Sequence, residues 1–213
     1  MKAIMFDTET TNDIDCPICY DFGFSVLDTD NGSILEKHSY VVADIFLDKE
    51  MMSYAFFSDK IPQYWEDIKA GKRLLRRWST IRAIVRDVMA QYEITTVIAH
   101  NMRFDYCSTN TTQRYLTSSK YRYFFPYGTK FACTLKMARD VFGKDEKYIT
   151  FCQDNGFTTK HNKPKLTAEI IYRYLTNDVE FVESHTGLED VEIETQIYFE
   201  CVNRKPTVEG LLW

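Results

Sequence analysis

KAIMFDTETT, running from Lys2 to Thr11, is the stretch on which the reading of this chain turns. Lys2 to Phe6 is apolar enough for a short strand, and acids follow it at once. On a strand, Asp7 and Glu9 are two residues apart and point from the same face. Two carboxylates at the end of a buried strand repel each other. They are stable there only with a proton shared, or a cation held, between them. Oxygen-only donors suit Mg²⁺ or Mn²⁺ rather than zinc. A solvated strand end would also read D-T-E, so this stretch needs partners before it means chemistry.

Moving outward, Tyr20 to Leu27 alternates as a second strand, residues 28–32 (DTDNG) supply a turn, and Ser33 to Val42 reads as a third strand. The chain thus opens as an antiparallel meander. Residues 44–71 lack clean periodicity and read as mixed helix and loop. Ile81, Ile84, Val85, Val88, Met89 and Tyr92 recur at helical spacing. Thr95 to Ala99 is a buried strand, and a helix starts near Arg103 with Phe104, Cys107, Thr111 and Tyr115 on one face. Thr129 to Cys133 predicts a strand, Leu135 to Val141 a helix, and Thr158 to Lys165 a polar loop. A further helix begins at Thr167 and runs through Leu175. Thr186-Gly-Leu-Glu189 fits a capping box, and Leu188, Val191, Thr195, Tyr198 and Val202 form the inner stripe of the last helix. The expected architecture is α/β: a central mixed five-stranded sheet, its first three strands antiparallel, flanked by helices.

The 213 residues and 25.1 kDa fit one domain, and residues 44–78 stand out as an insertion. Hydrophobic residues at 45% and charged residues at 27% exclude a disordered chain. Six cysteines are too few for a disulfide scaffold. Cys16 and Cys19 make one C-x-x-C with no second pair at zinc spacing, so free thiols in a reducing cytosol are expected. The first apolar run is too short for a signal peptide. No stretch reaches the roughly 18 apolar residues of a membrane span, so a cytoplasmic protein with no membrane partner is expected. The net charge of −5 argues against a simple cationic binder of nucleic acid. It leaves room for an enzyme that meets phosphate through metal ions.

Two further segments carry acids at element ends. In Ile98-Ala-His-Asn-Met-Arg-Phe-Asp105 a buried strand runs out and Asp105 falls in the first helical turn, where the helix dipole alone would also favour it. In His185-Thr-Gly-Leu-Glu-Asp190 an acid opens the last helix, and a loop histidine precedes it as a plausible proton acceptor. A capped helix start with a surface histidine is the plainer reading of that segment. Three acid-bearing segments of this kind can converge on one edge of a sheet.

Together the three segments resemble the DnaQ-like group, the histidine-containing DEDD (DEDDh) 3′→5′ exonucleases with the ribonuclease H-like fold. The epsilon proofreading subunit of bacterial DNA polymerase III is a member. D-x-E, H-N-x-x-F-D and H-x4-D occur in the family's order, and residues 181–190 resemble the longer form of the third motif. The resemblance implies that Asp7, Glu9, Asp105 and Asp190 hold two Mg²⁺ or Mn²⁺ ions, with His185 as general base. It implies release of 5′-mononucleotides from the 3′ end of DNA, with RNA left open. Thr10 would lie where the terminal nucleotide is gripped, and Phe104 near a base unless it simply packs a helix start. Asn101 joins them on the substrate side, although His100 and Asn101 read mainly as scaffold for the turn. The implied partners are single-stranded DNA or frayed 3′ ends and, for a proofreading role, a DNA polymerase chain.

Rival readings are weaker. Tyr174-x3-Asp178 fits the tyrosine-containing sister branch, but Tyr174 lies in an apolar run that reads as core. Asp7-x-Glu9-x-Thr11 is one carbon from the D-x-D-x-T of haloacid dehalogenase-like phosphatases, yet no G-D-x-x-x-D follows. A non-catalytic module binding nucleic acid or a polymerase would be signalled by a lost carboxylate, and none is lost. Finally, Lys69, Lys72, Arg73, Arg76, Arg77, Arg82 and Arg86 form a basic run near Trp65 and Trp78. It reads either as a strand-tracking patch or as the solvated face of the helix that follows.

Overall fold

The strand does not end with the apolar run at Phe6: β1 spans Lys2–Thr11 and carries both acids within it. In the computed structural model, which describes residues 1–11, 15–118, 120 and 122–204, β1 pairs antiparallel with β2 (Ile18–Asp28), placing Asp7 opposite Gly23 and Glu9 opposite Asp21. Strand β3 (Ser33–Val42) continues the antiparallel meander. On the other side of β1, β5 (Thr96–Ala99) and β6 (Lys130–Cys133) add in parallel. The sheet has six strands in the order β4-β3-β2-β1-β5-β6, not the five expected from sequence. The sixth, β4 (Leu74–Arg76), pairs in parallel with β3. Three residues are too few to display a period of two, so no strand was expected between residues 71 and 78.

Helices α1 (Ala43–Phe46), α2 (Lys49–Met52) and α3 (Ile61–Lys69), with a 3-10 turn at Ser58–Lys60, fill the segment before β4. Then follow α4 (Trp78–Gln91), α5 (Met102–Leu116), α6 (Thr134–Val141), α7 (Glu146–Asp154), α8 (Ala168–Thr176) and α9 (Gly187–Asn203). Helix α7 has no counterpart in the sequence reading.

Alternation along β1 sorts the two cores. Ile4 and Phe6 join the cluster containing Trp78, Ile81, Val85 and Met102, against α4 and α5. Ala3 and Met5 join Met137, Ile171, Val191 and Ile197, against α6, α8 and α9. By the same parity Asp7 and Glu9 face the α9 side of the sheet.

Three local expectations are corrected. The buried face of α5 is polar, made of Asp105, Ser108, Thr109, Thr112 and Gln113, while Cys107 and Tyr115 are exposed. That face meets β1 and β2, where Thr112 Oγ1 accepts the Cys19 N–H at 2.8 Å. On α9, Val191, Thr195 and Tyr198 are buried, but Val202 is exposed and Leu188 only half-buried. Thr186 forms no capping box: its hydroxyl donates to Glu189 Oε2 at 2.8 Å, and no side-chain cap is made to the backbone.

Candidate active site

The end of β1 opens into a cavity of 580 Å³ whose walls include Asp7, Glu9, Asp105, His185 and Asp190. Sequence segments nearly the length of the chain apart thus meet, as the three motifs required. Asp7 Oδ2 is shut off from solvent and has no hydrogen-bond partner among the described residues. Glu9, His185 and Asp190 each offer a ligand atom, all within 4.8 Å of one another.

Asp105 arrives from the first turn of α5, and Thr8 fixes it. The Thr8 hydroxyl donates to Asp105 Oδ1 at 2.9 Å and lies 2.7 Å from Ser108 Oγ. Asn101 precedes the helix with a left-handed φ of 68° and is exposed at the cavity wall, a conformation asparagine tolerates well. His100 is scaffold: Nδ1 lies 2.9 Å from Thr134 Oγ1 and Nε2 2.9 Å from the Leu166 carbonyl. Burial holds its pKa down at about 4. Phe104 is half-buried and lines the cavity, so it is not core packing alone. Thr10 is buried, and the cavity walls do not include it. Its carbonyl accepts the Phe56 N–H at 3.3 Å, tying the segment after α2 to the end of β1.

His185 itself sits at a left-handed φ of 52°. Its ring lies face to face with Phe57, 4.2 Å between centroids and 8° between planes. Its Nδ1 is 3.9 Å from Glu183 Oε2. Burial lowers its pKa, so the imidazole is neutral near pH 7 and can accept a proton.

The start of α9 is seated by a contact no motif advertised. Gly187 lies on Gly23 of β2; a Cβ on Gly23 would stand 2.3 Å from the Gly187 carbonyl carbon. Asp21 Oδ2 accepts the Gly187 N–H at 2.9 Å and the Tyr64 hydroxyl at 2.6 Å. Arg73 completes this brace. Its guanidinium donates to Asp67 Oδ2 at 3.1 Å, Ser39 Oγ at 3.1 Å, Asp21 Oδ2 at 3.4 Å and Glu189 Oε2 at 2.7 Å. Arg73 is 2% exposed and therefore no part of a solvent-facing basic strip. Trp78 is buried as well, its indole N–H donating to Gln113.

Glu194 was also missed. It is buried one helical turn beyond Asp190, lines the cavity, and accepts the His100 N–H at 3.1 Å. The i, i+4 spacing of Asp190 and Glu194 was its legible signal. Glu183 is a second omission, sharing a ligand-distance group with Glu169 and His185. The rival pair fails on geometry, since Tyr174 packs among Phe142, Tyr148 and Phe151. Cys16 is exposed and Cys19 buried, and neither enters a metal-distance group among the described residues.

Crowding of acids away from water dominates the electrostatics. Burial and then Glu194, Asp105, Glu9 and Asp190 hold the Asp7 carboxyl far above the usual carboxylate range. Glu9 and Glu194 are raised the same way, by burial first. Burial lifts Asp105 to about 7, against the hydrogen bond from Thr8, and lifts Asp190 to about 8 with Glu183 and Asp21 adding to it. A buried oxygen without a hydrogen-bond partner among the described residues, amid mostly carboxylate donors, is what a hard divalent cation satisfies. The site therefore fits a divalent cation.

No protein-family model and no curated protein sequence matches this chain. Solved structures do. The nuclease domain of 3′hExo, a DEDDh family member bound to rAMP, superposes with a TM-score of 0.64 at 13% identity, covering 100% of this chain and 96% of that one. A 3′-exonuclease solved in recognition of the histone mRNA stem-loop gives 0.63 at 12% identity, over 99% and 84%. The E. coli ExoI–ssDNA complex gives 0.60 at 16% identity, over 97% of this chain and 41% of that one. The chain has the ribonuclease H-like fold of the DnaQ-like DEDDh 3′-exonucleases. Asp7, Glu9, Asp105, His185 and Asp190 stand around one cavity of that fold.

Proposed function

We propose that the protein is a metal-dependent 3′→5′ exonuclease that hydrolyses the terminal phosphodiester bond of a nucleic acid and releases 5′-mononucleotides. One observation carries the reading: four acids from three distant segments converge on a cavity where Asp7 Oδ2 has no hydrogen-bond partner among the described residues, beside a neutral histidine. Asp7, Glu9, Asp105 and Asp190 would hold two Mg²⁺ or Mn²⁺ ions. Bound there, the ions would acidify a water and neutralise charge on the phosphate and leaving oxygen. His185 takes the water's proton on a ring nitrogen, its Nδ1 standing 3.9 Å from Glu183 Oε2. Thr8 orients Asp105, and Phe104 and Asn101 face the space a terminal nucleotide would fill.

The whole chain acts as one exonuclease unit, and residues 44–78 select the substrate by placing Phe57 against His185. The substrate is single-stranded DNA or a frayed 3′ end, with RNA accepted by the same carboxylates. The solved relatives support both, one being described with single-stranded DNA and another with an RNA stem-loop. A proofreading role would draw on a separate DNA polymerase chain. A cytoplasmic location accords with the described helices, none of which is long and apolar enough to cross a membrane. The antiparallel β1–β3 meander and the intact carboxylate set favour neither a haloacid dehalogenase-like phosphatase nor a non-catalytic module.

The test is a gel of end-labelled single-stranded DNA, duplex DNA and RNA with Mg²⁺, Mn²⁺ or EDTA. Mononucleotides should leave the 3′ end only with metal, and Asp7→Ala should abolish them. Degradation by Asp7→Ala, or in EDTA, refutes the reading.

A further inference from the structure

A second cavity, of 750 Å³, lies on the other side of α5. The helix is a shared wall: Phe104 and Asp105 face the acidic cavity, Tyr106 and Asn110 the second one. Arg82 and Arg86 from α4 and Lys120 and Arg122 from the segment after α5 line it, and no Asp or Glu does among the described residues. In a chain of net charge −5 such a concentration of one sign is a local inversion of the field.

The cavity is held open by a fixed frame. Arg82 Nε and Nη2 donate to the carbonyls of Phe124 and Tyr123 at 3.0 and 3.2 Å. The Phe124 N–H donates to Asn110 Oδ1 at 2.9 Å, and Phe124 and Phe125 are buried. Arg82 therefore serves the frame, while Arg86 and Arg122 extend into solvent. Tyr123 is 61% exposed and Tyr127 is fully exposed at the rim. Exposed rings set among cations suit an alternation of flat bases and phosphates.

We propose that this cavity is a cradle for single-stranded nucleic acid, Arg86 and Arg122 meeting phosphates and Tyr123 and Tyr127 stacking bases, at a distance from the reacting 3′ end. The inference rests on the exonuclease reading for the strand's identity and not for its anionic chemistry. Of the basic run, the cradle takes Arg82 and Arg86 and leaves Arg76 and Arg77 outside.

The experiment measures anisotropy of fluorescein-labelled oligo-dT and oligo-rU, each about 20 nucleotides long, with the full chain in EDTA between about 50 and 200 mM salt. The Arg86→Glu/Arg122→Glu double variant should bind at least about tenfold more weakly, and its log–log salt slope should be shallower by about 1.4, as for two lost single-strand phosphate contacts. Arg76→Glu/Arg77→Glu carries the same charge change off the cavity and should lose much less. Equal loss in both pairs, or an unchanged slope in the first, overturns the cradle. So does a free mononucleotide that competes as well as the strand. If Arg86→Glu/Arg122→Glu melts at a lower temperature than the parent, Arg86→Gln/Arg122→Gln replaces it and must show the same shallower slope, while Arg86→Lys/Arg122→Lys must retain binding. With Mn²⁺, the ratio of KM for the long strand to KM for a dinucleotide should rise about tenfold in the Glu pair. Binding lost only in that pair while no variant degrades any strand sinks the exonuclease reading and leaves the cradle standing. Strand degradation with binding indifferent to the pair does the reverse.

Discussion

His185 pays for its place with a left-handed backbone, a conformation that costs most side chains about 1 kcal/mol or more. Asparagine adopts that region more readily, so His185→Asn should fold as well as the parent and still lose the proton acceptor. The expected outcome is hydrolysis slowed by about 10² to 10⁴ with metal affinity retained, checked by single-turnover rates beside a metal titration. Phe57 stacks on one face of the ring. Phe57→Ala should lower kcat more than it raises KM, by a smaller factor than His185→Asn. At Asp7 the sign is opposite for stability and for activity. Its carboxylate is buried among like charges, so Asp7→Asn should abolish turnover and raise the melting temperature in EDTA. A lower melting temperature there would contradict the account of the cavity. The catalytic candidates were legible because a motif preserves residue type and order. Asp21 was not, because nothing in a linear pattern marks an acid as buried, and the spacing that pointed to Glu194 carried no sign of its burial.

Among the elements, α9 depends on how its first turn meets β2. Gly23→Ala forces a methyl carbon into the Gly187 backbone, where neither partner is the flexible end of a side chain. The substitution should shift Asp190 and His185 off β2 and depress kcat, with a loss of stability visible in a thermal melt. Arg73→Met removes the cation from between Asp21, Asp67 and Glu189. Breaking a buried ionic network from one side costs about 3–5 kcal/mol, which a urea titration can read. Sequence reading placed Arg73 in a basic run, either a strand-tracking patch or a solvated helix face, since its partners lie on β2, β3, α3 and α9 and none is a sequence neighbour. The polar inner face of α5 escaped for a related reason. It serves hydrogen bonds to Thr8 and to the Cys19 backbone, so its periodicity is not apolar. Strands β1 to β3, β5 and β6 were legible from alternation or an apolar run, whereas β4 and α7 were too short or too mixed.

For the molecule as a whole, the crowded cavity ties stability to pH. Burial lifts the folded-state pKa values of Asp105, Asp190 and Glu183 to about 7, 8 and 7, above the usual carboxylate range. Between those limits the folded chain binds more protons than the unfolded one, so stability falls as pH rises. In EDTA the melting temperature should therefore drop steadily from about pH 5 to about pH 8.5. Saturating Mg²⁺ or Mn²⁺ should raise it most at the alkaline end and flatten the profile. A metal-free melt that climbs with pH across that window would overturn the account of these carboxyls as raised by burial.

The brevity of β4 has a bearing on any attempt to trim the protein. A sheet that ends in free backbone N–H and C=O groups invites another chain to add a strand. Here one margin closes with three residues ending in Arg76, and the other with four residues beginning at an exposed Lys130. Cutting residues 44–78 away would bare Tyr40 to Val42 on the ten-residue β3. The shortened chain should self-associate, as light scattering would report, instead of yielding a leaner nuclease.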